Sequence, residues 1–177
     1  GILRYIKWDD LGNQPFDLAG DAVGWGLNLS TNINTDPKGV IRASVIYGDG
    51  VENYMNDAPV DIGIENNFSD PETPLLGKAL PVLGLVAFYD RNWTEKVSTT
   101  IGWSMVNITN SDGMDPSAFH QGQYALANVM FYPATGMMVG PELQYIRRSN
   151  FDDGFTADGF RLQVSGKYNF KVNIGGK

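Results

Sequence analysis

Residues 160–174, FRLQVSGKYNFKVNI, alternate strictly between two kinds of side chain. The even-numbered positions, from Phe160 to Ile174, are apolar, aromatic or glycine, whereas the odd-numbered positions are polar or basic. This period of two predicts a β-strand with one apolar and one polar face. Strands of soluble proteins are usually about five or six residues long. A run of 15 alternating residues therefore indicates a strand that crosses a thick apolar layer.

The same alternation recurs along the rest of the chain and predicts seven further strands. They cover residues 1–9, 22–34, 40–48, 81–89, 97–108, 122–132 and 137–148. Short turns are predicted at 35–39, 90–96 and 133–136, and longer loops at 10–21, 49–80, 110–121 and 149–158. Because short and long connections alternate, the short turns all fall at one end of the sheet. The sequence predicts an all-β, antiparallel, up-and-down fold with eight strands.

Length and hydropathy indicate the environment in which these strands lie. The 177 residues contain no boundary between domains and no apolar run long enough for a membrane helix. A tilted strand crosses a membrane in about ten residues, and its backbone groups must then pair sideways in a closed barrel. We therefore predict one transmembrane β-barrel domain over residues 1–177, with a long outer loop at 49–80. A soluble sandwich or lipocalin-like barrel is the alternative, but it favours shorter strands and does not sort its loops by length.

Charge is distributed unevenly, although the formal net charge is −7. Most acidic residues fall in predicted loops, and most basic residues fall in predicted strands. Charged side chains at mid-membrane depth are expected to face a wet lumen rather than lipid. The predicted pore-lining residues are Arg42, Arg148, Arg161, Lys167 and Glu142. A lumen of this composition attracts small anionic solutes.

Four other basic residues lie near predicted strand ends and leave two interpretations open. They are Arg4, Lys7, Arg147 and Lys171. They either line the lumen or extend into the lipid headgroups.

The predicted loop at 49–80 is too long for a simple connection. It either folds inward to narrow a pore or packs against a neighbouring subunit. Its acidic residues suggest a cation site, but their spacing does not match a calcium-binding EF-hand loop. A solvated acidic loop without a metal is the prediction.

Other function classes are disfavoured by what the sequence lacks. The chain has no cysteine, and its one histidine, His120, has no second histidine or nucleophile motif with which to form a catalytic pair. We predict that His120 is an ordinary loop residue, that the protein is not an enzyme, and that it needs no cofactor. The GWG and GDG stretches are predicted to be turn or close-packing glycines. Acidic loops disfavour binding of nucleic acid.

Four segments also carry a family resemblance. They are YGDGVENYMNDAPVDIG (47–63), FYDRNWTEKVSTTIGWS (88–104), QYALANVMFYPATGMMVGPELQYIRR (123–148) and DGFRLQVSGKYNF (158–170). Together they resemble the C-terminal part of the DcaP-like porins of Gram-negative outer membranes. The resemblance implies a trimeric, sixteen-stranded porin that passes small anions, dicarboxylates among them, and that contacts outer-membrane lipid and lipopolysaccharide.

The chain departs from that family in having half of the strands and in continuing past Phe170. Because alternation continues to Ile174, we interpret the extra residues as a prolonged strand. A closed barrel of eight strands is filled by its own side chains, whereas the polar positions here are rich in Gly, Ser, Thr and Asn. This composition favours the C-terminal half of a wider, water-filled barrel. The alternative is a small closed barrel with a structural or adhesive role and no conducting pore.

Overall fold

The computed structural model describes residues 1–12, 15–55 and 58–170. Its strands are β1 (Ile2–Trp8), β2 (Gly20–Asp36), β3 (Gly39–Asp49), β4 (Ile62–Asn66), β5 (Leu75–Ala79), β6 (Pro81–Thr94), β7 (Val97–Ile108), β8 (Phe119–Phe131), β9 (Met137–Asn150) and β10 (Thr156–Tyr168). Eight of them form one antiparallel sheet in the order β1-β2-β3-β6-β7-β8-β9-β10. This confirms the predicted all-β, eight-stranded antiparallel fold. In the described residues, no helix has the length and apolar character that crossing a membrane requires.

The strand register separates the side chains into two faces, because directly paired residues of an antiparallel sheet point the same way. One transverse row consists of Tyr89, Ile101, Ala127, Leu143 and Leu162, and the adjacent row consists of Asp90, Thr100, Asn128, Glu142 and Gln163. We call these sides the apolar face and the polar face. The alternation in the sequence therefore continues coherently from β6 to β10.

The apolar face is uncovered over most of the sheet. Leu29 is 73% exposed, Ile101 61% and Val164 72%. The alternation in the sequence predicts that six apolar residues face lipid and are exposed, and their exposure is confirmed. These residues are Leu27, Leu29, Val45, Ile101, Val164 and Tyr168. No second sheet packs on this face in the described residues, which argues against a soluble sandwich.

The connections are largely sorted by length, as predicted. The end of the sheet that carries residues 9–19, 50–80, 109–118 and 151–155 is called the long-loop end, and the other the short-turn end. The sorting is incomplete, because the connection at 151–155 is no longer than the turn at 132–136. The predicted loop at 149–158 was too long because both flanking strands extend into it.

Several predicted strand limits are wrong, and the differences are largest at the end of β6 and the start of β10. The turn predicted at 90–96 is mostly strand, since β6 continues to Thr94 and pairs with β7 through a bulge, leaving a two-residue connection. The last strand begins four residues earlier than predicted and ends at Tyr168. Asn169 and Phe170 are not in the strand, and the predicted continuation to Ile174 lies outside the described residues.

The connection from Gly50 to Leu80 also differs from prediction, because it contains its own structure. A 3-10 helix covers Glu52–Tyr54, and β4 and β5 form a two-stranded hairpin. The sequence pattern predicts no strand here, since these strands have only five residues each. We call this segment loop 50–80.

The sheet has two edges within the described chain. The strand β1 pairs only with β2, and β10 pairs only with β9. Because β1 is short, it covers Gly20–Gly26 of β2 and leaves the rest of that edge without a partner among the described residues. Closure into a barrel therefore stays a prediction.

Candidate functional site: the polar face

Loop 50–80 packs onto the polar face at the long-loop end. Its buried Val51 and Leu80 form an apolar cluster with Val82 of β6 and Ile108 of β7. All four side chains are at most 2% exposed. Val82 and Ile108 are directly paired and belong to the polar face, so this cluster joins the loop to the inner surface of the sheet.

Glycines provide the space in which the loop lies. A Cβ atom at Gly26 would lie 3.1 Å from a methyl group of Val51, and one at Gly24 would lie 2.8 Å from the carbonyl oxygen of Gly50. Gly50 itself has a φ of +63°, a left-handed conformation that glycine adopts without strain. The prediction that GWG contains close-packing glycines is confirmed.

The hairpin of β4 and β5 bridges two distant parts of the long-loop end. On one side, a Cβ atom at Gly77 would overlap the indole of Trp8, whose Nε1 donates a hydrogen bond to the Leu18 carbonyl at 2.8 Å. On the other side, the Ser111 hydroxyl and the Gly113 amide both donate to the Ile64 carbonyl, at 2.7 and 2.9 Å. Loop 50–80 therefore spans the polar face from β1 to the β7–β8 connection.

An ion pair fixes the start of the loop to the sheet. Arg4 of β1 contacts the Asp61 carboxylate at 2.8 Å and donates to the Gly50 carbonyl at 3.2 Å. Asp61 also accepts a hydrogen bond from the Asn53 amide at 2.8 Å. Arg4 therefore binds the loop. This contact supports neither of its two proposed roles, which are to line the lumen or to extend into the lipid headgroups.

Glu52 is the unusual group in this packing. It is fully buried, and its carboxyl oxygens have no hydrogen-bond partner among the described residues. Burial raises the pKa of the Glu52 carboxyl to about 8, and the charges of Asp61 and Asp49 act in the same direction. The Val51 and Glu52 amides oppose this rise in pKa, although neither makes a hydrogen bond of normal geometry with the carboxyl.

Below the loop, hydrogen bonds link side chains across six strands of the polar face. Arg42 Nε contacts Asp90 at 2.6 Å, Asp90 accepts from the Thr100 hydroxyl at 2.7 Å, and the Thr100 amide donates to Asn128 at 3.0 Å. Asn128 then donates to Glu142 at 3.1 Å. Glu142 also accepts from Gln144 at 2.5 Å and from Gln163 of β10 at 2.9 Å. We call this row, from Arg42 to Gln163, the polar belt.

The structure places all five predicted pore-lining residues on the polar face. Arg42 and Glu142 belong to the polar belt. Arg148 donates to Asn150 at 3.2 Å and lies 5.7 Å above the Phe119 ring. Arg161 and Lys167 make no ion pair within the described residues. That this face lines a pore stays a prediction.

The separation of acidic loops from basic strands is weaker than predicted. Five acidic residues besides Glu142 lie in strands of the sheet, namely Asp21, Asp36, Asp49, Asp90 and Asp158, whereas Asp9 lies outside β1. Asp90 matters most, because it neutralises Arg42. It was missed because 90–96 was assigned to a turn, although the alternation of Tyr89, Arg91 and Trp93 gave a signal for a longer strand.

The sequence prediction for His120 is also corrected. His120 lies in β8, and its Nδ1 is 3.0 Å from the Asn110 side-chain oxygen. Among the described residues, no group of three or more potential metal ligands is present.

No protein-family model matches the chain. No curated protein matches it either. The fold is similar to that of the outer membrane channel DcaP of Acinetobacter baumannii, with a TM-score of 0.66 and 18% sequence identity. The match covers 85% of this chain and 42% of the channel, so this chain spans less than half of that protein. The likeness confirms the resemblance at the level of the fold.

Proposed function

We propose that this chain forms part of a porin-like passive diffusion channel in a bacterial outer membrane. The observation that carries the proposal is a sheet of long strands with an exposed apolar face and a hydrogen-bonded polar face. An arrangement of this kind suits lipid on one side and water on the other. The fold likeness to an outer-membrane channel supports the same role.

Aromatic residues at both ends of the apolar face support membrane residence. At the short-turn end, Arg91 lies 5.0 Å above the Trp93 ring, and the Trp93 indole donates to Thr99 at 3.0 Å. At the long-loop end, Trp25 packs edge-on against Tyr47 and donates to Asp49 at 2.8 Å. Aromatic rings with polar partners are typical of the two membrane–water interfaces.

The two edges of the sheet support completion of the barrel by further strands. An unpaired strand edge leaves its N–H and C=O groups unsatisfied, and each such group costs several kcal/mol in lipid. We propose a sixteen-stranded barrel in which this chain supplies the C-terminal half and the channel is a homotrimer in contact with lipid and lipopolysaccharide. The resemblance to the DcaP-like porins supports both the sixteen strands and the three subunits.

The proposed mechanism is sieving combined with electrostatic attraction, and no bond is made or broken. Loop 50–80 narrows the lumen at the long-loop end, because it packs on the polar face. Arg148, Arg161 and Lys167 then provide the positive charge that favours small anions such as dicarboxylates. Arg42 contributes less than predicted, because Asp90 lies 2.6 Å away.

The alternative is a structural or adhesive barrel that does not conduct. The close packing of loop 50–80 across the polar face favours this alternative, since a loop that fills the lumen blocks it. Planar-bilayer recordings of the full protein separate the two functions. Stepwise, anion-selective currents are expected for the channel, whereas stable insertion without current would contradict it.

A further inference from the structure

We propose that the packing of loop 50–80 on the polar face is a proton-controlled latch, closed when Glu52 carries a proton and weakened when it does not. This inference rests on the proposed function, because it describes how the opening of that channel is regulated. Three features of the structure carry it: the burial of Glu52, the composition of its surroundings and the attachment of the loop at both ends.

The first feature is the place of Glu52 at the start of the loop. The 3-10 helix Glu52–Tyr54 follows directly after the buried Val51, and the Tyr54 and Met55 amides donate to the Val51 and Glu52 carbonyls. The helix therefore fixes Glu52 next to the apolar cluster. Ionising a buried carboxyl without partners is unfavourable, whereas hydration satisfies it when the loop leaves the sheet.

Among the described residues, no positive charge compensates an ionised Glu52. The carboxylates of Asp49 and Asp61 both disfavour a negative Glu52. Arg4 of β1, which contacts this loop, is paired with Asp61, donates to the Gly50 carbonyl and lies 5.5 Å from the centre of the Tyr54 ring. The wall residues that β6 and β7 contribute to the cluster, Val82 and Ile108, are apolar.

The direction of the pH effect follows from the raised pKa of Glu52, about 8 against an ordinary 4.5. Below pH 4.5 the carboxyl is protonated in both the docked and the released loop, so docking is strongest there. Between these two values the docked loop holds a proton that the released loop has lost, so docking weakens by up to about tenfold per pH unit. Above the raised pKa both forms are ionised, and docking stays at its weakest.

The attachment of the loop at both ends makes the movement a local one. Gly50 donates to the Leu80 carbonyl at 2.8 Å, and Leu80 donates to the Asp61 carbonyl at 3.1 Å, so the two ends of the loop are joined. Release of the cluster therefore frees the 3-10 helix, and the β4–β5 hairpin follows when its contacts with Trp8, Ser111 and Gly113 break. Neither step separates β3 from β6, which pair directly from Gly39 to Asp49.

The test measures docking directly and independently of current. Because the sequence contains no cysteine, spin labels at Leu76→Cys on the hairpin and Asn28→Cys on the polar face of β2 report their separation in the full membrane-inserted protein. As the pH rises from 5 to 8.5, we expect a growing fraction of molecules to show a longer distance between the two labels. Glu52→Gln, which keeps the shape of the protonated acid, is expected to stay docked over the whole range.

Glu72→Gln is the matched control, because Glu72 is an exposed acid of the same loop, and it should titrate like the unmodified protein. A single distance at every pH in the unmodified protein overturns the latch, even if a variant fails to fold. So does a Glu52→Gln protein that opens with rising pH. A distance change without any conductance keeps the latch and contradicts the channel, whereas pH-dependent conductance without a distance change contradicts the latch alone.

Discussion

The two halves of the polar face use the same alternating pattern in different ways. At the long-loop end, β2 and β6 present Gly24, Gly26 and Val82, and the loop packs on them with an apolar cluster. Toward the short-turn end, the same face carries the polar belt, in which neighbouring strands exchange side-chain hydrogen bonds. The first half is stabilised by burial of apolar surface, and the second by polar contacts along the wall.

This difference indicates that the type of residue on the polar face depends on whether protein or water covers it. Where the loop covers the wall, glycine and aliphatic residues predominate and the charged Arg4 is paired with Asp61, because an unpaired charge under a loop is costly. Where water is expected to cover it, Asp, Thr, Asn and Glu satisfy one another. Glu52 is an exception in the covered half, which is why a regulatory role is proposed for it.

The largest expected effect is that of Leu80→Ala, which disrupts the apolar cluster between loop 50–80 and the polar face. Leu80 is completely buried in the cluster, so removing its branched end should weaken loop docking by about 2–5 kcal/mol. Hydrogen exchange of the Gly50 and Leu80 amides, which are bonded within the closed loop, measures this local opening.

Leu76→Ala is the matched control for that experiment, because Leu76 lies on the same hairpin and is 46% exposed. It should leave the exchange of both amides nearly unchanged. Equal protection in Leu80→Ala and in the unmodified protein would show that the cluster does not hold the loop.

A smaller effect is expected from breaking the polar belt with Asn128→Ala. The change removes the acceptor of the Thr100 amide and one donor to Glu142, at a cost of about 1 kcal/mol. Urea unfolding of the membrane-inserted protein measures the loss. Asn28→Ala is the control, because Asn28 makes one exposed side-chain bond, at 3.2 Å from Ser44, and should cost less than half as much. Equal losses of unfolding free energy in the two variants would mean that the hydrogen bonds of the belt stabilise the protein no more than an exposed side-chain bond does.

The sequence predicts the faces better than it predicts what covers them. Alternation alone identifies Leu29, Ile101 and Val164 as exposed apolar residues, because a period of two fixes the direction of each side chain relative to its neighbours. The β4–β5 hairpin was not predictable in this way, since its five-residue strands carry too few repeats of the pattern. Its position depends on distant contacts with Trp8 and Ser111.

The candidate site shows the same limit. The register confirms that Arg42 and Glu142 share a face, but which residues pair with them depends on where each strand ends. Misplacing the end of β6 by a few residues moved Asp90 from the wall into a turn and left Arg42 as an apparently free cation. Local turn signals at 90–96 competed with the strand pattern, and only pairing with β3 and β7 decides between them.

The smallest expected effect concerns ion selectivity, and it separates free from neutralised charges. Arg161→Gln removes a cation without an ion pair in the described residues, whereas Arg42→Gln together with Asp90→Asn removes a neutral pair. In water at 0.1 M salt, a positive unit charge about 8 Å away raises the local concentration of an anion by a factor of about 1.5 and lowers that of a cation by the same factor. We therefore expect Arg161→Gln to lower the anion-to-cation permeability ratio about twofold at 0.1 M salt, and the double variant to leave it nearly unchanged.

Arg42→Gln alone should lower the ratio as well, because it leaves the Asp90 carboxylate without its cation, and adding Asp90→Asn should restore it. Reversal potentials under a salt gradient measure the ratio. The differences should shrink at 1 M salt, where the Debye length falls from about 10 Å to about 3 Å. If the double variant shifts selectivity as strongly as Arg161→Gln, then Arg42 acts on passing ions despite its pairing, and the whole row of basic residues, rather than its unpaired members, sets the field of the lumen.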